Sequence, residues 1–271
     1  MNVLLLTDFS DNSIDASKYA MELLVTQPCT FHLLNIQIPS EYLSSDILTS
    51  VGGTSIYESV SRDNLNRLEL LKKELIIHSS KETEIDVHFD FDTFTDGIAQ
   101  TVQLQHIDLI VVGKTGETGL SKKIFGGHVI SLIKTKTKPL MVVPPNYKFS
   151  KIRNVLFTIS EGDEISLDSI LFIASILKSE KVTIHLLYLN CKENAKLHSQ
   201  FIENFDQNLV DLKIQHINNI PEASAIDCFE QLIPCQLHIM ATHDESFLNR
   251  FFKGSSTNEI SHKTTIPLLI L

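Results

Sequence analysis

The chain has 271 residues, 43% hydrophobic and 21% charged, with a net charge of −10; this is the profile of a globular protein with room for two domains that each bury a core. An acidic balance with no clustered basic face argues against nucleic acid or an anionic membrane as partner, and no apolar run approaches the ~20 residues that span a bilayer. Cys29, Cys191, Cys228 and Cys235 lack C-x-x-C spacing and read as free thiols of a cytoplasmic protein.

In chain order, Val3 to Leu6 is a short apolar run bounded by Asp8 and Ser10 and free of alternation, which predicts a parallel strand buried on both faces. With no basic stretch ahead of it, this opening reads as a first strand and not a signal peptide. Ala16, Tyr19, Ala20, Leu23 and Leu24 follow at helical spacing, with Ser10, Asp11 and Asn12 as candidate caps. Phe31 to Ile36 is the second strand. The stretch Ile38 to Ser59, with Gly52-Gly53 and many Ser and Thr, reads as a surface excursion able to act as a mobile flap. A helix carrying Leu65, Leu68, Leu71 and Leu75 is next, then a strand alternating through Ile85, Val87, Phe89 and Phe91, then a turn at Asp96-Gly97. Ile98, Val102 and Gln105 mark a third helix, Leu109 to Val112 a fourth strand, Val129, Ile130 and Ile133 a fourth helix, and Leu140 to Val143 a last strand. Such alternation predicts an α/β fold, a doubly wound parallel sheet covered by helices on both faces.

The second half repeats the first. Asn2 to Thr7 recurs at Asn154 to Thr158, Phe31 to Ile36 at Ile184 to Leu189, Leu109 to Gly113 at Leu237 to Ala241, and Pro139 to Val143 at Pro267 to Leu271. A period of roughly 130 to 150 residues is domain-sized, so the expectation is two tandem domains of five parallel strands, 1–145 and 151–271, joined by the short connector Pro144 to Ser150. The last strands, Leu140 to Val143 and Leu268 to Leu271, are apolar edges expected to pair antiparallel within the chain.

In an open parallel sheet, ligands bind outside the carboxyl ends of the strands where the winding reverses, which points to the residues after strands one and four. Gly113-Lys114-Thr115-Gly116 follows strand four, and nine residues later Gly126-Gly127-His128 opens a helix. Glycines at 113 and 116 allow a backbone to approach a ligand closely, and glycines at a helix start present amides to an anion, with Lys114, Lys122 and Lys123 flanking. Read alone, the same residues make a tight strand exit and a helix start.

Together with Asp108-Leu109-Ile110-Val111-Val112-Gly113, Lys138 to Pro144, and the opening Leu6-Thr7-Asp8-Phe9-Ser10, this pattern resembles the universal stress protein family, whose nucleotide motif is G-x2-G-x9-G followed by Ser or Thr. The resemblance extends over both halves. It implies a Rossmann-like, adenine nucleotide alpha hydrolase-like sheet, binding of ATP or another adenine nucleotide in some members, with Mg²⁺ as the accompanying ion, and pairing of domains along the last strand. By resemblance Thr7 and Asp8 address the adenine or ribose, Ile36 the adenine through its backbone, and Val112, Gly113, Gly116, Gly126, Gly127 and His128 the ribose and phosphates. Gly127 departs from the motif, which wants a hydroxyl there.

The second copy departs further: Ala241-Thr242-His243-Asp244 replaces G-x-x-G, and Ser160 stands where Asp8 stands. Gly254-Ser255 survives and reads as a helix cap. Rival constellations fail. A Walker A loop would need glycine at 108, where Asp108 stands; no G-x-S-x-G elbow exists; and His243-Asp244-Glu245 has no further group at ligand spacing. His32 and His185, at equivalent strand positions, read as shared packing. The expected function is a non-catalytic, nucleotide-responsive stress protein with its ligand in the N-terminal domain only, its two domains paired, a homodimer as a further assembly and an unidentified protein as downstream partner. The alternatives are a nucleotide-independent scaffold and a slow ATPase.

Overall fold

A computed structural model describes residues 1–38, 56–79, 83–114, 131–132, 138–177, 181–206, 208–241 and 265–271. They divide into two compact units, Met1–Pro139 and Leu140–Leu271.

The first unit contains β1 (Asn2–Leu6), α1 (Asp11–Leu23), β2 (Thr30–Ile36), α2 (Ile56–His78), β3 (Glu84–Asp90), α3 (Phe94–Leu104) and β4 (Leu109–Gly113). Its strands lie in the order β3-β2-β1-β4, all parallel, with Leu4 opposite both His32 and Ile110. The apolar run Val3 to Leu6, predicted to be buried on both faces, is buried, and Val3, Leu4 and Leu5, like Leu109 and Val112 of β4, are wholly inaccessible, each such side chain contributing about 1.5–3 kcal/mol by leaving water. Asn2 closes the foot of β1, donating from Nδ2 to Gln105 O at 3.0 Å.

Three local differences from the sequence reading have clear causes. In α2, Leu68, Leu71 and Leu75 are buried but Leu65 is 40% exposed; Asn64 takes the inward position instead, its amide donating to Val60 O at 2.9 Å, so that its polar group is satisfied within the helix. Residues 56–59, assigned above to the excursion, already belong to α2, and 39–55 lie outside the described residues. Asp96-Gly97 is no turn but the first turn of α3: Thr93 is the N-cap, Asp96 N–H donates to Thr93 Oγ1 at 3.3 Å and the Thr93 hydroxyl to Asp96 Oδ2 at 2.6 Å, a reciprocal cap.

The second unit contains β5 (Leu140–Val143), β6 (Asn154–Ser160), α4 (Leu167–Ile176), β7 (Val182–Leu189), α5 (Ala195–Asn204), β8 (Val210–Ile217), α6 (Glu222–Leu232), β9 (Leu237–Met240) and β10 (Leu268–Ile270). Strands β10-β9-β6-β7-β8 are parallel neighbours in that order, the same winding as the first unit. β5 pairs antiparallel with β10, Leu268 opposite Val142 and Ile270 opposite Leu140, the pairing expected from two apolar edges. Equivalent backbone bonds recur: Asp108 N–H to Asn2 O at 2.8 Å and Gln236 N–H to Asn154 O at 2.9 Å, Ile110 N–H to Pro139 O at 3.0 Å and His238 N–H to Pro267 O at 2.9 Å. Ser166 and Asn194 cap α4 and α5 through their side chains, and Pro221 is the N-cap residue of α6.

Candidate functional site

The order β3-β2-β1-β4 reverses the direction of winding between β1 and β4, and so opens a crevice at their carboxyl ends. Thr7 to Ser10 leave β1 there, and Gly113 and Lys114 leave β4.

The exit of β1 is held by a chain of hydrogen bonds whose direction can be assigned. Ser13 Oγ donates to Ser10 O at 2.8 Å, so it accepts from the Thr7 hydroxyl 3.0 Å away, and Thr7 Oγ1 in turn accepts from Phe9 N–H at 3.0 Å. Asp8 Oδ1 accepts from both Ser10 N–H (3.1 Å) and Ser10 Oγ (2.6 Å), and Ser10 Oγ accepts from Ser13 N–H at 3.3 Å, capping α1. The carboxylate of Asp8 is thus oriented by the same serine that starts the helix, and it brings negative charge to the helix N-terminus, where the dipole favours it. Phe9 turns the chain with a left-handed backbone (φ 65°), uncommon for an aromatic residue; its ring lies under the Arg67 guanidinium at 3.9 Å, a cation–π contact from α2.

Asn35 is the residue that sequence reasoning missed. Its amide donates to Thr7 O at 2.8 Å, its own Oδ1 accepts from Gln37 Nε2 at 3.1 Å, and it is 1% exposed. The available signal was a lone Asn directly after the apolar pair Leu33-Leu34 and one residue before the strand ends. Thr7, placed at the site by sequence, therefore has both hydroxyl and carbonyl engaged inside the protein.

Gly113 lies directly against α1. A Cβ built there would stand 2.9 Å from Asn12 Cγ and Oδ1 and 3.0 Å from Asn12 O, so the absence of a side chain serves helix packing at this point. Val112 is wholly inaccessible. Ile36 ends β2 with its Cδ1 only 3.1 Å from where a Cβ on Gly97 would be, which brings the first turn of α3 against the ends of β2 and β3. The structure thus brings Thr7, Asp8, Ile36, Val112 and Gly113 to the carboxyl ends of β1, β2 and β4; Gly116, Gly126, Gly127 and His128 lie outside the described residues.

The second unit makes the corresponding exit differently. Ser160 N–H donates to Asp163 Oδ2 at 2.8 Å, and the turn passes through Gly162 with φ 87°. The register sets Tyr188 where Asn35 stands, fully buried and stacked on His216 with ring centroids 5.0 Å apart. The loop at 242–264 lies outside the described residues.

His32 Nδ1 and His88 Nε2 are 3.1 Å apart across β2 and β3, and burial first, then for His32 the neighbouring His88, pushes both imidazoles below their ordinary range. His185 occupies the matching place in the second unit with different partners, Asn154 Oδ1 at 3.3 Å and Gln215 Nε2 at 3.4 Å, so the two histidines share burial but not contacts. The four cysteines are free, and burial pushes the Cys235 thiol up to about 12. Among the described residues no cluster of three or more His, Cys, Asp or Glu could hold a metal ion, and no helix is long and apolar enough to cross a membrane.

The sequence profile of the universal stress protein family matches residues 1–144. No curated protein matches the chain in sequence. Among solved structures, a universal stress protein from Archaeoglobus fulgidus superposes with TM-score 0.63 at 16% identity, covering 99% of this chain and 95% of its own. A putative universal stress protein from Pseudomonas aeruginosa UCBPP-PA14 gives 0.52 at 12%, covering 100% and 92%, and a functionally unknown protein from P. aeruginosa PAO1 gives 0.51 at 13%, covering 100% and 92%. At these identities the likeness is one of fold.

Proposed function

The chain belongs to the universal stress protein family, and from that premise we propose that it is a cytoplasmic regulatory module that binds one adenine nucleotide in its N-terminal half without turning it over, the second half being a nucleotide-free copy of the same fold. The observation that carries this reading is the asymmetry at the two strand exits. In the first, Ser10 orients the Asp8 carboxylate beside the β1–β4 crevice; in the second, Ser160 supplies no carboxylate and a glycine turn replaces the serine. By its sequence motif the loop Gly113 to Gly127 would offer backbone amides to phosphates, whereas Asp244 would bring a negative charge to the corresponding loop of the second copy. Mg²⁺ would accompany the phosphates as a counter-ion.

Gly127 removes one hydroxyl from the phosphate site. A hydrogen bond to a charged group is worth about 1.5–3 kcal/mol, so affinity should sit roughly ten- to a hundredfold below that of a complete motif. Calorimetry with ATP and Mg²⁺ on the full chain tests the reading: one site per chain, strengthened in Gly127→Ser and abolished in Gly116→Val, with no ADP released on prolonged incubation. Two sites per chain, or unchanged binding in Gly116→Val, would overturn it, and steady ADP release would overturn the non-catalytic part. Absence of binding in both wild type and Gly127→Ser would put the nucleotide-independent interaction module, which Gly127 itself favours, in its place.

A further inference from the structure

The chain turns through a left-handed residue after β1 and again after β6, and the two units hold that turn by different means. After β6 the residue is Gly162, φ 87°, and a Cβ built there would meet nothing within 4 Å, so glycine is present for the backbone angle alone. After β1 it is Phe9, φ 65°, where the Cβ makes the same conformation unfavourable. Such an angle persists only where its surroundings fix it. Part of the support is local: Phe9 N–H donates to Thr7 Oγ1 at 3.0 Å, and Ser10 donates its N–H and hydroxyl to Asp8 Oδ1 at 3.1 and 2.6 Å. A further part comes from α2, where the Arg67 guanidinium carbon lies 3.9 Å from the centre of the Phe9 ring. Glu74, two turns further along the same face of α2, accepts from Lys18 Nζ of α1 at 2.7 Å, so the two helices are tied on the side that carries Arg67.

We propose that Arg67 is a positioning residue for the Asp8 carboxylate: it binds the Phe9 ring in the left-handed state of the turn and thereby couples α2 to the exit of β1. The argument is one of linkage. Returning Phe9 to an ordinary negative φ is a rotation of roughly 120° about its N–Cα bond. That rotation swings the ring away from Arg67 and, in the same movement, turns Asp8 relative to Ser10. The cation–π contact and the Ser10–Asp8 hydrogen bonds therefore belong to one conformation, and a contact made in that conformation alone shifts the equilibrium toward it. A cation over a ring at an exposed site shifts such an equilibrium roughly two- to fivefold.

The consequence for a ligand rests on the nucleotide reading proposed above. Where Asp8 addresses the adenine or ribose, the affinity of the first unit scales with the fraction of chains in which the carboxylate is held, and loss of the Arg67 contact lowers it by no more than the same factor. The geometric part of the proposal needs no ligand. It concerns the free protein, and it is read there.

Residue-resolved hydrogen exchange of the full chain, followed by NMR at the Phe9 and Ser10 amides, tests the proposal as a double-mutant cycle. Arg67→Met keeps an apolar stem and removes the charge, and both amides should then exchange about two- to fivefold faster. Arg67→Lys retains a cation and should fall between the methionine variant and wild type. In Phe9→Gly the left-handed angle is free and the ring is gone, so adding Arg67→Met should change nothing. The amides of Leu68 and Leu71 in α2 should be alike throughout, which a general loosening of the helix would not leave. Unchanged exchange in Arg67→Met, a lysine variant no better than methionine, or the same loss in the Phe9→Gly background would each overturn the proposal. If the glycine variant exchanges too fast to read, the difference between methionine and lysine decides alone. Calorimetry with ATP separates this inference from the reading it serves: the amide pattern above in a protein that binds no ATP would overturn the nucleotide reading and leave the positioning role standing, and ATP binding with amides indifferent to Arg67 would do the converse.

Discussion

Gly113 is the residue at which the motif and the packing make different predictions. A methyl group there would enter at 2.9 Å from Asn12 Cγ and Oδ1 and 3.0 Å from Asn12 O, several tenths of an ångström inside ordinary contact. Inserting a methyl into a packed site costs about 1–3 kcal/mol, and alanine recovers about 0.5–1 kcal/mol relative to glycine in a strand. Gly113→Ala should therefore destabilise the protein by about 1–2 kcal/mol with no nucleotide present, read as a lower midpoint in urea unfolding followed by circular dichroism. Asn12→Ala removes two of the three close atoms but not the backbone oxygen, so the double variant should be less destabilised than the sum of the singles by about 0.5 kcal/mol or more. Additive effects, or a Gly113→Ala protein as stable as wild type, would refute the packing argument and return the glycine to the ligand. The same geometry makes valine at 113 a poor probe of binding, since loss of affinity there would follow from a displaced helix.

Asn35→Leu should cost about 1–3 kcal/mol in urea unfolding, because Thr7 O loses the donor that reaches it at 2.8 Å inside the protein; a neutral result would show that water replaces the amide. Ser10→Ala removes the α1 cap and releases Asp8, for a loss of about 0.5–2 kcal/mol, and should weaken any nucleotide binding that depends on the carboxylate. Since His32 and His88 are both pushed low, the unfolded chain binds more protons than the folded one below about pH 6.5, and stability falls as pH drops through that window. His88→Gln should reduce that loss in hydrogen exchange of the β2 amides, and an unchanged acid limb would exclude the pair as its source.

What was legible in the sequence was what periodicity and apolar runs encode. Both copies of the strand order, the burial of Val3 to Leu6 and Leu109 to Val112, and the antiparallel pairing of Leu140–Val143 with β10 follow from short continuous apolar segments that can only be satisfied inside a sheet. The helix faces were less legible, because an amide that bonds its own helix, as Asn64 does to Val60 O, can take an apolar position without a mark in the pattern. Of the candidate site, the sequence placed Thr7, Asp8 and Gly113 at the ends of β1 and β4 but not their contacts: Thr7 serves Phe9 and Ser13, and Gly113 packs on Asn12. Those are contacts between segments distant in sequence or between side chain and backbone, and neither leaves a periodic trace. The approach of Thr158 Oγ1 to His238 Nε2, 3.0 Å apart inside the second unit, was illegible for the same reason, since each residue alone reads as an ordinary polar substitution.

The second unit keeps the strand order of the first while rebuilding the exit of its first strand. At the end of the first strand the backbone carbonyl must find a donor, because an unsatisfied buried carbonyl is expensive whatever the protein does. In the first unit Asn35 supplies it to Thr7 O at 2.8 Å; in the second, Ile159 O accepts from Cys191 Sγ at 3.3 Å, while the position of Asn35 has gone to Tyr188, stacked on His216. The requirement is met by a different residue from a different place. A ligand site would have no such freedom: under the proposed reading Asp8 serves only where Ser10 holds it, and Ser160 and Gly162 do not reproduce that geometry. Tyr188→Asn alone should therefore remove a fully buried ring without restoring an oriented carboxylate, costing about 3–5 kcal/mol of stability in urea unfolding and conferring no nucleotide binding in calorimetry. Recovery of binding in that variant would show that the second crevice was closed by one side chain and not by the loss of its exit chemistry.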